Sequence, residues 1–165
     1  MTRSYLGLGS NLGERLANLK DAVSLLEATD GIEVTRSSRV YETDPIGGPE
    51  DQPAFLNAVV EVQVSLEARA LLEACLDVER KMGRSRDERW GPRIIDVDVL
   101  TFGHEQIDED DLKVPHPRMH ERLFVLAPLL ELDADPPLAG GRSVMSIRLD
   151  HVDVSGARPF APPLA

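Results

Sequence analysis

Two aspartates, Asp96 and Asp98, interrupt an otherwise apolar run, Ile94-Ile95-Asp96-Val97-Asp98-Val99-Leu100. In an extended chain alternate side chains share a face, with Cα atoms about 6.5–7 Å apart, so the two carboxylates are displayed together while Ile95, Val97 and Val99 turn the other way. The apolar face fixes the register against a core, and paired carboxylates repel one another unless a cation relieves them. Hard oxygen donors suit Mg²⁺, which takes one or two carboxylates plus substrate phosphates. A solvated acidic strand has the same Asp-x-Asp pattern, so the pair alone decides nothing.

Context favours the metal. Arg84, Arg86, Arg89 and Arg93 fall within ten residues just upstream, on a stretch that also holds Gly83, Gly91, Pro92 and the only tryptophan, Trp90. Glycine and proline make this stretch an irregular arm able to bring guanidinium groups over a metal-bound polyphosphate. Internal salt bridges between these arginines and the aspartates are the competing reading, and they leave Trp90 unexplained.

A second constellation is Phe55 with Asn57. They fall on one face of an alternating run in which Leu56, Ala58, Val60, Val62 and Val64 form the other. An aromatic ring beside an amide could stack on and pair with a flat, hydrogen-bonding ring, or it could be ordinary sheet packing. The segment before it, Thr43-Asp44-Pro45-Ile46-Gly47-Gly48-Pro49-Glu50-Asp51-Gln52-Pro53, has three prolines and two glycines and reads as a long loop.

The elements that position these residues are set by periodicity. Residues 4 to 9 predict a strand, and Gly9-Ser10-Asn11-Leu12-Gly13 a turn into a helix whose buried face is Leu16, Leu19, Val23 and Leu26, with Gly31 ending the run. Residues 32 to 41 predict a second strand, 55 to 64 a third, and 67 to 82 a helix built on Leu71, Leu72, Cys75, Leu76 and Val78 and stopped by Gly83. The next strand runs from Ile94 to Phe102, succeeded by a hairpin through Gly103-His104 and a helical pattern over 119 to 132. The order β-α-β-β-α-β, with a hairpin and a third helix appended, predicts a ferredoxin-like α+β sandwich with a mainly antiparallel sheet. One domain over 1 to 158 is expected, with 159 to 165 as a tail without fixed structure.

Acidic residues outnumber basic ones 29 to 18, giving a net charge of −11 and a pI near 4.8. Such a surface repels nucleic acid and anionic lipid, so an anion site must be a local basic patch. An RNA-binding module on a similar frame is opposed by this charge and by an aromatic content of only 4%. Cys75 is the only cysteine, so no intramolecular disulfide exists, and its apolar neighbours suggest a small buried hydrophobe. No run approaches the roughly 18 apolar residues that span a bilayer, and Met-Thr-Arg-Ser-Tyr lacks a signal-peptide core, which points to the cytoplasm.

The segment Arg89-Trp90-Gly91-Pro92-Arg93-Ile94-Ile95-Asp96-Val97-Asp98 resembles the signature of the 6-hydroxymethyl-7,8-dihydropterin pyrophosphokinase family of folate biosynthesis. Gly9-Ser10-Asn11-Leu12-Gly13, Tyr41-Glu42-Thr43-Asp44-Pro45-Ile46-Gly47, Asp51-Gln52-Pro53-Ala54-Phe55-Leu56-Asn57 and Val114-Pro115-His116-Pro117 are similar to family segments in the same order, covering roughly residues 3 to 135. The resemblance implies transfer of the β,γ-diphosphate of ATP to the pterin hydroxymethyl oxygen, with AMP as the other product. It makes Asp96 and Asp98 the ligands of two Mg²⁺ ions, Arg84 and Arg93 the phosphate-neutralising arginines, and Trp90 part of a lid. Glu79, Arg84, Arg93, His116 and Arg122 match ATP-binding positions, while Thr43, Asp44, Ile46, Phe55, Asn57 and Phe124 match pterin-binding ones. Phe55 stands where some members have Tyr, and Pro117 replaces an aromatic beside His116. His104, His120 and His151 match nothing in the family pattern.

The partners implied are ATP and 6-hydroxymethyl-7,8-dihydropterin, with no nucleic acid and no membrane, acting on a monomer. No Ser-His-Asp set or reactive cysteine is apparent, so catalysis is expected from alignment and charge neutralisation. Two other readings share the aspartate pair: a non-enzymatic ferredoxin-like module that binds a metal or small ligand, and a two-metal phosphohydrolase.

Overall fold

The computed structural model describes residues 1–44, 53–83, 94–119, 123–139 and 157–165. Strand β1 (Thr2–Ser10) lies at the heart of a six-stranded antiparallel sheet, between β4 (Phe55–Val64) and β5 (Asp96–Phe102). The far side of β4 pairs with β2 (Ile32–Ser37) along one half and β3 (Val40–Thr43) along the other. Taken as one interrupted strand, β2 and β3 complete the strand order of the expected ferredoxin-like sandwich. The periodicity of residues 32 to 41 predicts a single strand, and Ser38 explains the break. Its N–H donates to the Val59 carbonyl (2.8 Å) while its Oγ accepts the Val59 N–H (2.9 Å), so the hydroxyl stands in for one main-chain acceptor and lets the chain kink.

Helices α1 (Arg15–Glu27) and α2 (Ala68–Lys81) cover one face of the sheet. Leu19, Ala22, Val23 and Leu26 of α1 and Ala68, Leu71, Cys75 and Val78 of α2 recur at three- and four-residue spacings. They meet Leu6, Leu8, Leu56, Ala58, Val60, Val62 and Val64 in the main core. Gly83 ends α2 as expected, at φ +81, a conformation that side chains disfavour. Helix α3 (Leu123–Leu132) lies on the opposite face over β3 and β4, with a smaller core of Tyr5, Val59, Leu100, Met119, Leu129 and Leu138.

Strand β5 serves both cores through a bulge. Ile95, Val97 and Val99 point into the main core, as their alternation predicts. The register with β1 then shifts between Leu6–Val99 and Tyr5–Thr101, which leaves Leu100 as the extra residue and turns it into the smaller core.

Three expectations need correction. Gly9 and Ser10 are the last residues of β1 rather than turn residues. The turn at Gly103-His104 does not make a hairpin of β5 and the next strand. The hairpin is β6 (Ile107–Glu109) with β7 (Leu112–Val114), closed at Asp110-Asp111. Residues 159–161 of the supposed tail, with Arg158, form an edge strand, β8 (Arg158–Ala161), paired with β3, and the Leu164 N–H donates to Ser37 Oγ at 3.2 Å. Ala161 and Leu164 pack against the main core, and Pro159 is tolerated because an edge strand need not donate on its outer side.

Candidate active site

One cross-strand row organises the site. Gly9 pairs with Asp96 on one side and Asn57 on the other, and Asn57 pairs in turn with Tyr41. The next row sets Asp98 against Gly7. Directly paired residues project the same way, so Asp96 and Asn57 stand on one sheet face, two strand spacings or about 10 Å apart. Only glycine lies between them. A Cβ at Gly9 would come 2.8 Å from Asn57 Oδ1 and 3.6 Å from Phe55 Cδ1, so the trough and the Asn57 amide both require its absence. Asp98 is exposed, and Asp96, Phe55 and Asn57 are half-buried, which leaves all four accessible from this face.

The amide end is built with care for orientation. Asn57 Nδ2 donates to Oγ1 of the buried Thr43 at 2.6 Å, which sets the plane of the amide. The chain leading into Phe55 is held from the other side: Asn11 Nδ2 donates to the Pro53 carbonyl (3.2 Å) and Arg15 Nη1 to that of Ala54 (2.8 Å). Arg15 also bonds Glu42 at 3.0 Å, and hydrogen bonds from Arg158 and Arg15 hold the Glu42 carboxyl below its usual range. Asp44 is exposed, 3.5 Å from Arg158.

Beyond the outer edge of β5 lies a cleft of about 300 Å³, lined among others by Glu79, Asp98, Lys113 and His116. Asp98 therefore belongs both to the trough and to this cleft. Glu79, buried at the C-terminal end of α2, accepts the Val97 N–H at 2.9 Å and so grips the edge strand between the two aspartates. His116 is half-buried; its main-chain N–H donates to the Leu100 carbonyl (2.8 Å), and its Nδ1 accepts the Arg118 N–H (3.2 Å). The β6–β7 hairpin forms the outer wall.

Arg84, Trp90 and Arg93 lie outside the described residues, as do Arg86, Arg89, Ile46 and Arg122. Phe124 falls in the first turn of α3, and its side chain is outside the described set. Of the expected site residues, the fold brings Asp96, Asp98, Asn57, Phe55 and Thr43 to one sheet face, and Glu79, His116 and Asp98 to one cleft.

Residues 5–134 match the model of a family described as 7,8-dihydro-6-hydroxymethylpterin-pyrophosphokinase. The chain belongs to this family. Relatives named 2-amino-4-hydroxy-6-hydroxymethyldihydropteridine pyrophosphokinase include that of Bacillus subtilis, 51% identical over 129 residues, which are 78% of this chain and 77% of that protein. That of Methylorubrum extorquens is 47% identical over 156 residues, 94% of this chain and 97% of the relative. A solved Plasmodium falciparum HPPK-DHPS triple mutant superposes with a TM-score of 0.63 at 16% identity, over 79% of this chain. This chain spans 39% of that longer one, and the likeness is one of fold.

Two parts of the site have little signal in the sequence. The composition around Gly9 assigns it to a turn, although its position two residues after Gly7 in an apolar strand marks a place where backbone must stay uncovered. The hairpin wall of the cleft has no signal beyond its acidic turn, Asp110-Asp111.

Proposed function

We propose that this chain transfers the β,γ-diphosphate of ATP to the hydroxymethyl oxygen of 6-hydroxymethyl-7,8-dihydropterin, giving AMP and the pterin diphosphate. The observation that carries the reading is the Asp96–Gly9–Asn57 row, which sets an acidic pair and an amide–aromatic pair on one face with no side chain between. Family membership supports the reaction, and this row supports a site in two halves.

In this reading the pterin ring lies against Phe55 with its polar edge on the Asn57 amide and on main-chain groups of Thr43, Asp44 and Ile46, and Phe124 is the second stacking ring by the family pattern. ATP occupies the cleft beyond β5, near Glu79 and His116, with its phosphates turned toward Asp98, which among the described residues is common to both spaces; Arg122 is a further ATP contact by the family pattern. Asp96 and Asp98 fit Mg²⁺: both are hard oxygen donors, and they are accessible on one strand face. Among the described residues no third His, Cys, Asp or Glu joins them, which suits an ion that completes its shell with phosphate oxygens and water. Two Mg²⁺ ions held there would neutralise the charge that builds on the transferred phosphates. By the family pattern Arg84 and Arg93 neutralise phosphate charge and Trp90 helps to exclude water. The pterin oxygen attacks the β-phosphorus directly, without a covalent enzyme intermediate, so the protein's contribution is alignment and electrostatics. In this reading the protein acts on these two small molecules as a cytoplasmic monomer.

Mass spectrometry of a reaction with ATP, Mg²⁺ and 6-hydroxymethyl-7,8-dihydropterin tests the assignment. Diphosphorylated pterin together with AMP is expected, and Asp96→Ala or Asp98→Ala should abolish both while leaving the fold intact. Near-normal turnover in either variant would remove the acidic pair from the mechanism. AMP released equally well without pterin would instead identify a phosphohydrolase.

A further inference from the structure

We propose that strand β8 is a brace for the pterin side of the site, with Arg158 and Phe160 acting as positioning residues. The inference rests on the reading of Thr43, Phe55 and Asn57 as pterin-binding.

Residues 45–52 join two short stretches that the fold holds side by side: Thr43-Asp44 leaving β3, and Ala54-Phe55 starting β4. A continuous chain of contacts links them through β8. Arg158 lies opposite Glu42 in the β3–β8 pairing and bonds Glu42 Oε1 through both Nε (3.2 Å) and Nη2 (2.9 Å). The same Nη2 reaches Asp44 Oδ1 at 3.5 Å. The second oxygen of Glu42 accepts Arg15 Nη1 (3.0 Å), and that nitrogen also donates to the Ala54 carbonyl (2.8 Å). Phe160 completes the set, its ring 5.6 Å from the Arg15 guanidinium carbon, so that the arginine is held from one side by an aromatic face.

The path Asp44, Arg158, Glu42, Arg15, Ala54 thus ties the neighbour of Thr43 to the neighbour of Phe55. Thr43 and Asn57 share the 2.6 Å hydrogen bond that orients the amide, and a small shift at either end of the path changes that geometry. The ion pairs in it are half-buried or exposed, so each is worth little as a stability element alone. Its consequence is registration of the two ends. Phe160 fits this better than it fits a packing role, since it is about half exposed and meets Arg15 rather than the core.

The competing role for β8 is only to cover the edge of β3. The two roles separate in steady-state kinetics of the full chain, with AMP release measured while ATP and 6-hydroxymethyl-7,8-dihydropterin are varied in turn. Arg158→Ala and Phe160→Ala should each raise KM for the pterin about three- to fivefold, with KM for ATP changed less than about twofold. Arg158→Lys should recover part of the loss, because it keeps the charge but not the fork. Asn57→Ala, which removes the amide itself, should also raise the pterin KM. A pterin KM that rises in Asn57→Ala but stays at the parent value in both Arg158→Ala and Phe160→Ala overturns the brace. So does an equal rise in both KM values accompanied by a fall in Tm, the signature of edge protection alone. Asn57→Ala and Phe55→Ala without effect on the pterin KM would overturn the underlying site reading instead.

Discussion

The Glu79 carboxylate accepts the main-chain N–H of Val97 at 2.9 Å, so a buried acid on α2 holds the edge strand midway between Asp96 and Asp98. Val97 N–H faces away from β1, on the side where no further strand among the described residues supplies an acceptor. Glu79→Ala leaves that buried donor without this partner and should lower the free energy of unfolding by about 1–3 kcal/mol. Glu79→Gln retains an acceptor oxygen and should lose much less. Urea unfolding of the two variants distinguishes them; equal stabilities would mean that the bond does not hold the strand. Turnover should fall in the same order, because a loosened β5 carries both aspartates with it.

Gly9 makes a sharper test of the trough. The Cβ of Gly9→Ala would lie 2.8 Å from Asn57 Oδ1, closer than real Cβ contacts come, so the amide must rotate or the strands must part. Misplacement on this scale should reduce kcat/KM for the pterin by about tenfold or more. At Gly7 the nearest atoms to an added Cβ are those of the Leu100 side chain at 3.5 Å, an ordinary contact, so Gly7→Ala should cost less. If the two variants were kinetically alike, the row through Gly9 would have no special place in the site.

The contrast between Gly9 and Asp96 shows what is legible in the sequence. Asp96 and Asp98 stand out because charge on one face of an apolar strand violates the packing pattern, and the alternation of Phe55 to Val64 separates the site face from the core face. Gly9 carries no side chain to violate anything, and its role exists only relative to Asn57 on another strand. Edge strand β8 is hidden for a related reason. Arg158-Pro159-Phe160-Ala161 has a loop-like composition, and its partner strand is distant in sequence, Glu42 lying 116 residues from the Arg158 it pairs with. The break in β2–β3 depends likewise on Ser38 finding Val59.

The far end of the sheet provides a pH test of the fold. Buried Glu61 accepts Arg36 Nη2 at 2.8 Å, Thr35 Oγ1 at 2.9 Å and the Tyr5 hydroxyl at 3.2 Å, and Arg36 also donates to the Leu132 carbonyl at the end of α3 (2.6 Å). Burial is the strongest single influence on Glu61 and opposes its charge. The hydrogen bonds of Arg36 and Thr35, with the Arg36 charge, outweigh it and leave the carboxyl below its usual range. The contribution to stability is therefore present above the unfolded carboxyl pKa, about 4.3, and is lost as pH falls through the lower folded value. Burial and the charges of Asp133 and Glu61 push Tyr5 the other way, up to about 12. Its contribution is complete below the unfolded phenol pKa, about 10, and is lost as pH rises toward 12. Glu61→Gln should weaken the acid-side fall of the urea midpoint, and Tyr5→Phe the alkaline one. Unchanged profiles would mean that other groups govern both limbs.

Arg69 offers the last test, on the side proposed for the nucleotide. From the first turn of α2 its guanidinium forks onto Asp111, Nη1 to Oδ2 and Nη2 to Oδ1 at 3.0 Å each, and Nη2 also meets Glu109. Donating to Asp111 and Glu109 holds the Arg69 proton more tightly than usual, and the hydrogen bond from Arg69 depresses the Asp111 carboxyl. All three side chains are substantially exposed, so the fork adds little to overall stability. Its effect is local, because Asp111 is in the hairpin that walls the cleft containing Asp98 and His116. Arg69→Ala should raise KM for ATP about two- to fivefold and leave the pterin KM alone, the reverse of the pattern expected for Arg158→Ala. High salt should reproduce part of the effect in the parent protein, since exposed pairs are screened. Arg69→Lys should recover little, because an ammonium cannot satisfy both carboxylate oxygens in the same plane. Should Arg69→Ala leave the ATP KM unmoved, the hairpin would be a cover for α2 with no part in shaping the nucleotide cleft.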